Sequence, residues 1–176
     1  MADDPLALAS RRRLYEVVER TPGLSAREIQ RQAGTAWGET SYHLERLETA
    51  GLVQRERGPH QDFYFGARVP LGDRTLLRLA RSEAVRRILV ELLRSEEELP
   101  LVEIAERSSL SVSRTSIHLR RLLETGILVA SRQGPLRTFR VGESNRIARV
   151  LVTYREGYAD RWIDQLVDTW SELFSP

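Results

Sequence analysis

The sequence contains no cysteine, no lysine and a single methionine among its 176 residues. Without cysteine the chain can form no disulfide, no cysteine-ligated zinc site and no thiol nucleophile. No apolar run reaches the roughly 20 residues that span a bilayer, and the acidic start over 1–5 lacks the basic and apolar regions of a secretory signal. These absences predict a soluble, cytoplasmic protein without a membrane partner.

Motifs of catalysis and cofactor binding are also missing. The sequence has no glycine-rich phosphate loop and no nucleophile motif. Its three histidines are spread without metal-ligand spacing. The acidic run over 96–98 has no accompanying histidine, so we interpret it as a solvated loop. The sequence therefore predicts no enzyme activity, no catalytic residue, no metal and no cofactor.

The basic residues present are 27 arginines, unevenly matched by acidic residues. Residues 1–68 carry ten arginines and ten acids, residues 81–142 carry eleven and eight, and residues 143–176 carry four and six. Arginine forks onto phosphate and onto guanine edges, although a GC-rich genome also favours arginine codons. The distribution makes the middle of the chain the basic region and the tail an acidic one.

A repeated string is the most informative positive feature. Residues 41–53 read SYHLERLETAGLV, and residues 116–128 read SIHLRRLLETGIL, at a constant offset of 75. Each string is a polar helix with a few core leucines that ends at a glycine and continues into a strand. Two copies predict two small domains, at residues 10–68 and 82–142.

The first copy shows three helices and a hairpin, preceded by a loose arm over 1–9. Ser10 is the predicted cap of a helix to about Arg20, and Ser25 with Glu28 fits a capping box. A third helix is predicted over about 39–50, ending at Gly51. Residues 52–57 and 62–66 are the predicted hairpin strands.

The second copy repeats this order after a linker over 69–81, where Asp73 is a possible start for a long connecting helix. The predicted helices are 82–94, 101–107 and 113–125, with Thr115, Leu119 and Leu122 as the buried set of the third. The predicted strands are 127–132 and 136–141, with one residue inserted before the turn.

The tail over 143–176 is not repeated. Its apolar residues form two runs with the 3-4 spacing of a coiled-coil seam, slightly out of phase around 157–162. They predict a helix of roughly 30 residues, about 45 Å long, for which a bend near Gly157 stays open. We interpret this helix as the contact of a homodimer, while a tail folded back on its own core stays an alternative. The predicted dimerisation residues are Ile147, Leu151, Tyr154, Tyr158, Ile163, Leu166, Trp170 and Leu173.

Three helices and a hairpin, with the Ser-Tyr-His-Leu…Leu…Gly-Leu-Val string, resemble the winged helix-turn-helix of ArsR/MarR-like transcriptional regulators. Tandem copies with a carboxyl-terminal helix are similar to archaeal regulators of this superfamily. The resemblance implies a mainly α, α+β fold of two tandem winged helix-turn-helix domains with small β-hairpin wings and a long carboxyl-terminal helix. It also implies that the third helix of a domain lies in the major groove of double-stranded DNA.

Carried over residue by residue, the resemblance implies two sets of DNA contacts. In domain 2 they are Ser113, Arg114, Ser116, Ile117, Arg120, Arg121, Arg132 and Arg137. In domain 1 they are Ser41, Tyr42, Arg46, Arg55 and Arg57. Domain 1 departs from the pattern because Glu39 and Glu45 stand where domain 2 has Arg114 and Arg120. Phosphates repel carboxylates, so we expect domain 2 to carry most of the DNA binding.

The sequence thus predicts a nucleoid-associated, sequence-specific transcriptional regulator that acts as a homodimer, with no effector identified. Two other functions stay open. One is a protein–protein scaffold in a chromosome-organisation or transcription complex, which the near-neutral first domain and the acidic tail favour. The other is a ligand-sensing regulator with an aromatic pocket between tail and core.

Overall fold

Both copies of the repeat fold into three helices followed by an antiparallel hairpin. The computed structural model describes residues 4–158, 162–164 and 166–167, and the chain divides into two units, Met1–Arg78 and Leu79–Pro176. The predicted α+β class with two winged helices is confirmed. In the described part of the chain, no helix combines the length and the apolarity that crossing a bilayer requires.

Unit 1 packs its three repeat helices against its wing. Its elements are α1 (Ala9–Arg20), α2 (Ala26–Ala33), α3 (Trp37–Thr49), β1 (Val53–Arg57), β2 (Asp62–Gly66) and α4 (Leu71–Leu79). The apolar residues of α1 recur at helical spacing and meet those of α2, α3 and the strands in one core. The fully buried members include Leu14, Leu24, Ile29, Leu44, Leu47 and Phe65.

The starts of α1 and α2 show one wrong and one confirmed prediction. The Ser25 hydroxyl accepts from the Glu28 amide while the Glu28 carboxylate accepts from the Ser25 amide, which is the predicted capping box. Ser10, in contrast, does not cap α1. The helix begins at Ala9, and the Ser10 hydroxyl lies 3.4 Å from Nε2 of His43.

The segments on either side of the first repeat differ from the predicted arm and linker. Arg11 donates to the carbonyl of Pro5 at 2.9 Å, and Leu6 packs against the core, so residues 4–8 are held in place. On the other side, α4 belongs to unit 1 up to Arg78, which pairs with Glu56 at 3.5 Å. The chain turns after α4, so no long connecting helix forms.

Unit 2 repeats the arrangement and adds a strand. Its elements are α5 (Glu83–Arg94), β3 (Leu99–Pro100), α6 (Leu101–Arg107), α7 (Val112–Glu124), β4 (Leu128–Gln133), β5 (Leu136–Val141) and α8 (Ser144–Thr153). The strand order is β3-β5-β4, with Leu99 opposite Phe139. The sequence did not predict β3. In unit 1 a single bridge between Leu24 and Tyr64 occupies the corresponding place.

The helices that carry the repeated string end in the same way. Gly51 after α3 and Gly126 after α7 have φ of +70° and +73°, a conformation that glycine adopts without steric cost. The amide three residues past each helix donates back to a leucine carbonyl, at 3.0 Å from Leu52 to Leu47 and 3.1 Å from Ile127 to Leu122. These bonds complete the left-handed helix end and set the point where each wing begins.

The tail does not form the predicted continuous helix. Helix α8 ends at Thr153, and a 3-10 turn over Arg155–Gly157 follows. Residues 162–164 and 166–167 are helical again, in the same unit as α5. The 3-4 spacing was a correct sign of helix on either side of the turn, and the turn lies where the two apolar runs fall out of phase near Gly157.

Candidate nucleic-acid interface

Helix α7 is anchored to unit 2 along one side. Thr115 and Leu122 are completely buried and Leu119 nearly so, as predicted. The Ser111 hydroxyl accepts from the Arg114 amide at 3.3 Å, which caps the helix start one residue before Val112. The buried side and the cap together fix how the helix is presented to solvent.

The opposite side of α7 is exposed and mostly basic. Ile117 lies at its centre with 58% of its surface accessible. Ser116 lies at the edge and is half-buried. We call the exposed set the reading face of α7: Ser113, Arg114, Ile117, Arg120 and Arg121. The structure thus brings the predicted α7 contacts of domain 2 onto one surface.

The wing of unit 2 extends this surface. Arg132 and Arg137 lie opposite each other in the β4–β5 register, and both are exposed. The Arg137 guanidinium lies 5.4 Å from the Phe139 ring, a cation–π distance. A groove of about 330 Å³ between α7 and the wing brings together Ser116, Arg120 and Arg137. Backbone phosphates beside a helix in the groove of DNA would meet such arginines.

A carboxylate that the sequence reasoning missed fastens the wing to the loop before β3. Glu98 accepts from Thr138 at 2.7 Å and from Ser131 at 3.0 Å, and Arg140 lies 3.3 Å away. The Thr138 hydrogen bond is the first cause that lowers the pKa of Glu98. Glu98 is therefore not part of a solvated acidic run. Its three partners lie 33 to 42 residues away along the chain, so no local sequence pattern could predict them.

The amino end of α7 lies in an electrostatic network with α5. The pKa of Glu83 is lowered, first by a hydrogen bond from Arg87 and to a smaller extent by the charge of Arg114. Burial, followed by the charges of Arg114 and Arg121, lowers the pKa of His118. In the described structure the buried Nδ1 of His118 has no hydrogen-bond partner. A neutral His118 therefore leaves the positive charge of this face to the arginines.

Helix α3 of unit 1 presents a different surface from an equivalent position. Thr40, Leu44 and Leu47 are buried, as their counterparts in α7 are. Ser41, Arg46 and Tyr42 are exposed, Tyr42 by 54%. The same helix also exposes the carboxylates of Glu39 and Glu45. The polar and aromatic contacts predicted for domain 1 share their face with two negative charges.

The groove between α3 and the wing of unit 1 carries three carboxylates and two arginines. It measures about 590 Å³, and its charged lining residues are Glu45, Glu48, Asp62, Arg27 and Arg55. Arg55, a predicted DNA contact, lies 3.4 Å from Glu48 and 3.7 Å from Asp62, so its charge is already paired. Arg57 is exposed at the end of β1.

An exposed aromatic residue at the start of α3 was not predicted from the sequence. Trp37 is 42% exposed, and the Arg27 guanidinium stacks 4.1 Å from its ring. Val112 holds the equivalent first position of α7 and is 45% exposed. Both residues precede the predicted helix starts, which were two residues too late for α3 and one residue too late for α7.

His43 of the repeated string lies under α1. It is 6% exposed, Arg11 donates to its Nδ1 at 3.4 Å, and Glu39 lies 3.9 Å from its Nε2. Burial first, and then the Arg11 charge, lowers the pKa of His43, while Glu39 raises it. His43 therefore joins α1 to α3 as a neutral ring.

The predicted dimerisation residues are largely used within the chain's own core. Ile147, Leu151, Ile163 and Leu166 are at most 3% exposed, so these four have no surface left to offer a partner. Their assignment to a dimer seam is wrong, because unit 2 itself supplies the apolar environment that the 3-4 spacing requires. Trp170 and Leu173 lie outside the described residues.

The aromatic residues of the tail lie against arginines of α5. The Arg86 guanidinium is 4.9 Å from the Tyr158 ring and also donates to the Ala80 carbonyl at 2.6 Å. The Arg87 guanidinium is 5.1 Å from the ring of Trp162, which is 7% exposed. Tyr154 and Tyr158 stay half-exposed. These stacked pairs fasten the tail to unit 2.

No group of three or more histidine, cysteine, aspartate or glutamate side chains in the described part of the chain is arranged to hold an ion. The features that bring charge together are the arginine-rich face of unit 2 and the carboxylate-lined groove of unit 1.

Known proteins resemble both units. A family model described as an N-terminal HTH domain matches residues 9–77, and a second, described as winged helix-turn-helix DNA-binding, matches residues 81–129. An uncharacterised HTH-type transcriptional regulator of Methanocaldococcus jannaschii is 27% identical over 135 residues, 77% of this chain. The chain spans about a third of that relative's length, 34%. The chain thus has a tandem winged helix-turn-helix fold, and its second unit is similar to winged helix-turn-helix DNA-binding domains.

Proposed function

We propose that the chain is a transcriptional regulator that binds double-stranded DNA sequence-specifically, with α7 in the major groove. The observation that carries this proposal is the division of α7 into a buried side and an exposed, arginine-bearing side. Major-groove reading needs a helix that is fixed on one side and free on the other. The DNA-binding family match over 81–129 and the name of the archaeal relative support the same activity.

Base recognition falls to the amino-terminal half of α7. Arg114 can fork onto O6 and N7 of a guanine, the commonest specific contact in the major groove. Ile117, apolar and central, suits the methyl group of a thymine. Ser113 and Ser116 supply hydroxyls that accept or donate at either side. The reading face would therefore favour a short sequence that contains both guanine and thymine.

The remaining arginines suit backbone phosphates. Arg120 and Arg121 lie further along α7, and Arg132 and Arg137 extend from the wing. Phosphate contacts of this kind fix the position of a protein on the duplex without reading sequence. They would make binding fall steeply as the salt concentration rises.

Homodimerisation at a palindromic operator is part of the proposal. Two copies would bring two α7 helices to half-sites about 34 Å apart, or a multiple of that distance. Since four predicted seam residues are buried, the contact would use exposed surface such as the half-exposed Tyr154 and Tyr158. A regulator of this kind would act at the nucleoid.

Selection from a random duplex pool tests the proposal. We expect enrichment of a sequence with two inverted half-sites, and a mass measurement on the selected duplex should give two chains. A shuffled duplex of equal composition is the control. A pool that returns no enriched sequence would contradict sequence-specific binding.

A salt titration tests whether binding uses phosphates. The logarithm of the binding constant should fall linearly with the logarithm of salt concentration, with a slope of about −0.9 for each phosphate neutralised. Little binding to random duplex at low salt would instead favour a scaffold. The carboxylates along the unit 1 groove are the observation that favours this second candidate.

A further inference from the structure

The outward faces of α3 and α7 carry complementary patterns at equivalent positions. On α3, Glu39, Tyr42 and Glu45 follow one another at intervals of three residues, and all three are exposed. We call this set the acidic stripe. On α7 the same interval gives the basic stripe, made of Arg114, Ile117 and Arg120, also exposed.

We propose that the acidic stripe of one copy docks on the basic stripe of a second copy, so that the DNA-free protein associates through the surface it would use to bind DNA. The carboxylate–aromatic–carboxylate order of the acidic stripe matches the arginine–aliphatic–arginine order of the basic stripe. Tyr42 and Ile117, 54% and 58% exposed, form the apolar centre of the contact. Each glutamate then lies beside an arginine.

The match does not depend on the direction in which the helices run. Both stripes have the same kind of residue at each end, so parallel and antiparallel approaches both place Tyr42 on Ile117. Successive members rise by about 4.5 Å along each helix, because each residue adds 1.5 Å. The spacing of the charges therefore agrees on the two sides of the contact.

The key charges are available for such a contact. Within the described residues, neither Glu45 nor Arg120 forms an ion pair. Across the whole of α3 there are three carboxylates against one arginine, while α7 has three arginines against one carboxylate. Opposite charge on two surfaces of one chain steers them together and favours this pairing over pairing of like stripes.

The contact has two consequences for the protein in solution. Each copy offers one acidic and one basic stripe, so the contact is head-to-tail and continues beyond two chains unless a ring closes. DNA and the acidic stripe also compete for α7. Association should therefore fall when duplex is added.

Charge reversal in the full-length chain tests the inference. Mass is measured by light scattering over a concentration series at about 0.01 M and about 0.15 M salt, where the Debye length is about 30 Å and about 8 Å. The wild type should associate at the lower salt and far less at the higher. Glu45→Arg and Arg120→Glu should each raise the dissociation constant at least about tenfold, since each sets like charges together.

One double variant should associate again, and which one does so depends on the direction of the helices. Parallel helices pair position 45 with position 120, so Glu45→Arg/Arg120→Glu restores opposite charges, whereas antiparallel helices pair position 45 with position 114, so Glu45→Arg/Arg114→Glu restores them. Glu16→Arg and Arg149→Glu change exposed charges by the same amounts outside the stripes and serve as controls. Circular dichroism of every variant establishes that it is folded. Tyr42→Ala should weaken the association without changing its dependence on salt.

Three results would overturn the inference: a constant monomer mass at low salt, association that survives both single reversals, or failure of both double variants to recover. A mass that stops at two chains and ignores salt would point to contact through the tail instead. The measurement needs no DNA, so it is separate from the proposed function. A chain that associates but selects no DNA sequence would contradict that function and leave the inference standing.

Discussion

Helices α3 and α7 are alike in what they bury and opposite in what they expose. Leu47 and Leu122 are completely buried, and Gly51 and Gly126 end the two helices with the same backbone conformation. On the outer side, however, α3 presents glutamates where α7 presents arginines. The fold of a winged helix therefore depends on the buried side of this helix, whereas the choice of binding partner depends on the exposed side. The two sides can change independently.

The largest effect is expected from the shared, buried side. Leu47→Ala and Leu122→Ala each remove a fully buried side chain, and each should lower the free energy of unfolding by about 2–5 kcal/mol. Because both leucines hold the same position in the repeat, we expect losses of similar size. Denaturant unfolding of the two variants measures them.

Leu136→Ala is the control for this pair, since Leu136 is 57% exposed near the wing turn. Its loss should stay within about 0.5 kcal/mol. A large loss of unfolding free energy at Leu47 with almost none at Leu122 would show that the two helices are not anchored alike.

Substitutions on the exposed sides of α7 and α3 should affect DNA binding differently. Arg114→Ala should weaken binding to the selected operator by about 1–3 kcal/mol and relax specificity at one base pair, because a fork to guanine is lost. Arg121→Ala should weaken all sequences alike and flatten the salt slope. Titration of operator and shuffled duplexes distinguishes the two outcomes.

Glu39→Ala is the matched change in unit 1. Removing a carboxylate should leave operator affinity unchanged or raise it. If Glu39→Ala or Arg57→Ala weakened binding while Arg114→Ala and Arg121→Ala had no effect, unit 1 would be the one that reads DNA.

A smaller and symmetric effect is expected at the helix ends. A Cβ at Gly51 or Gly126 would meet no heavy atom within 4 Å, so alanine there costs only the strain of a positive φ. That strain is about 1–2 kcal/mol. Thermal unfolding of Gly51→Ala and Gly126→Ala should show comparable shifts, with Gly38→Ala inside α3 as a control that has no positive φ.

The smallest effect concerns pH and unit 1. The pKa of His43 is lowered in the folded chain by burial and by Arg11, while an unfolded histidine titrates near pH 6.5. The unfolded chain therefore takes up a proton first, and stability present above about pH 6.5 declines as the pH falls through the folded pKa. Ser10, Arg11 and Glu39 are the groups beside the ring.

Unfolding of the wild type and of His43→Gln at about pH 7.5 and about pH 5.5 tests this prediction. The variant should lose less stability on acidification, because the carboxylates titrate in both proteins and only the wild type has the buried ring. Equal losses would contradict it. His118→Gln gives the corresponding comparison for unit 2, where burial also lowers the pKa.

What the sequence could predict was local or periodic. The leucines at intervals of three, the box of Ser25 and Glu28, and the glycine after each helix all act within a few residues, so each can be recognised in the string itself. Because the string is repeated, the leucines and the final glycine could be recognised in both copies. The contrast between Glu45 and Arg120 could also be found in this way, since it needs only the offset of 75.

What the sequence could not predict depends on distant partners. Strand β3 has two residues, too few to show alternation, and it exists because it pairs with β5. In the sequence Glu98 looks like the last of three exposed glutamates, and only the folded structure shows that Thr138 donates to it. The prediction for the tail failed for another reason. A 3-4 spacing fits a seam between two chains and a helix packed on its own core equally well, and only the folded structure of unit 2 distinguishes the two.

The identical helix ends have a consequence for changes in chain length. Since hydrogen bonds from Leu52 and Ile127 fix where each wing starts, an insertion before that point would rotate the wing relative to its helix. The tips are free of this constraint, and the second wing is already one residue longer before its turn than the first. The turn at Gly134 and Pro135 is therefore the place to graft a fluorophore or a crosslinker that reports DNA entry while α7 keeps its position.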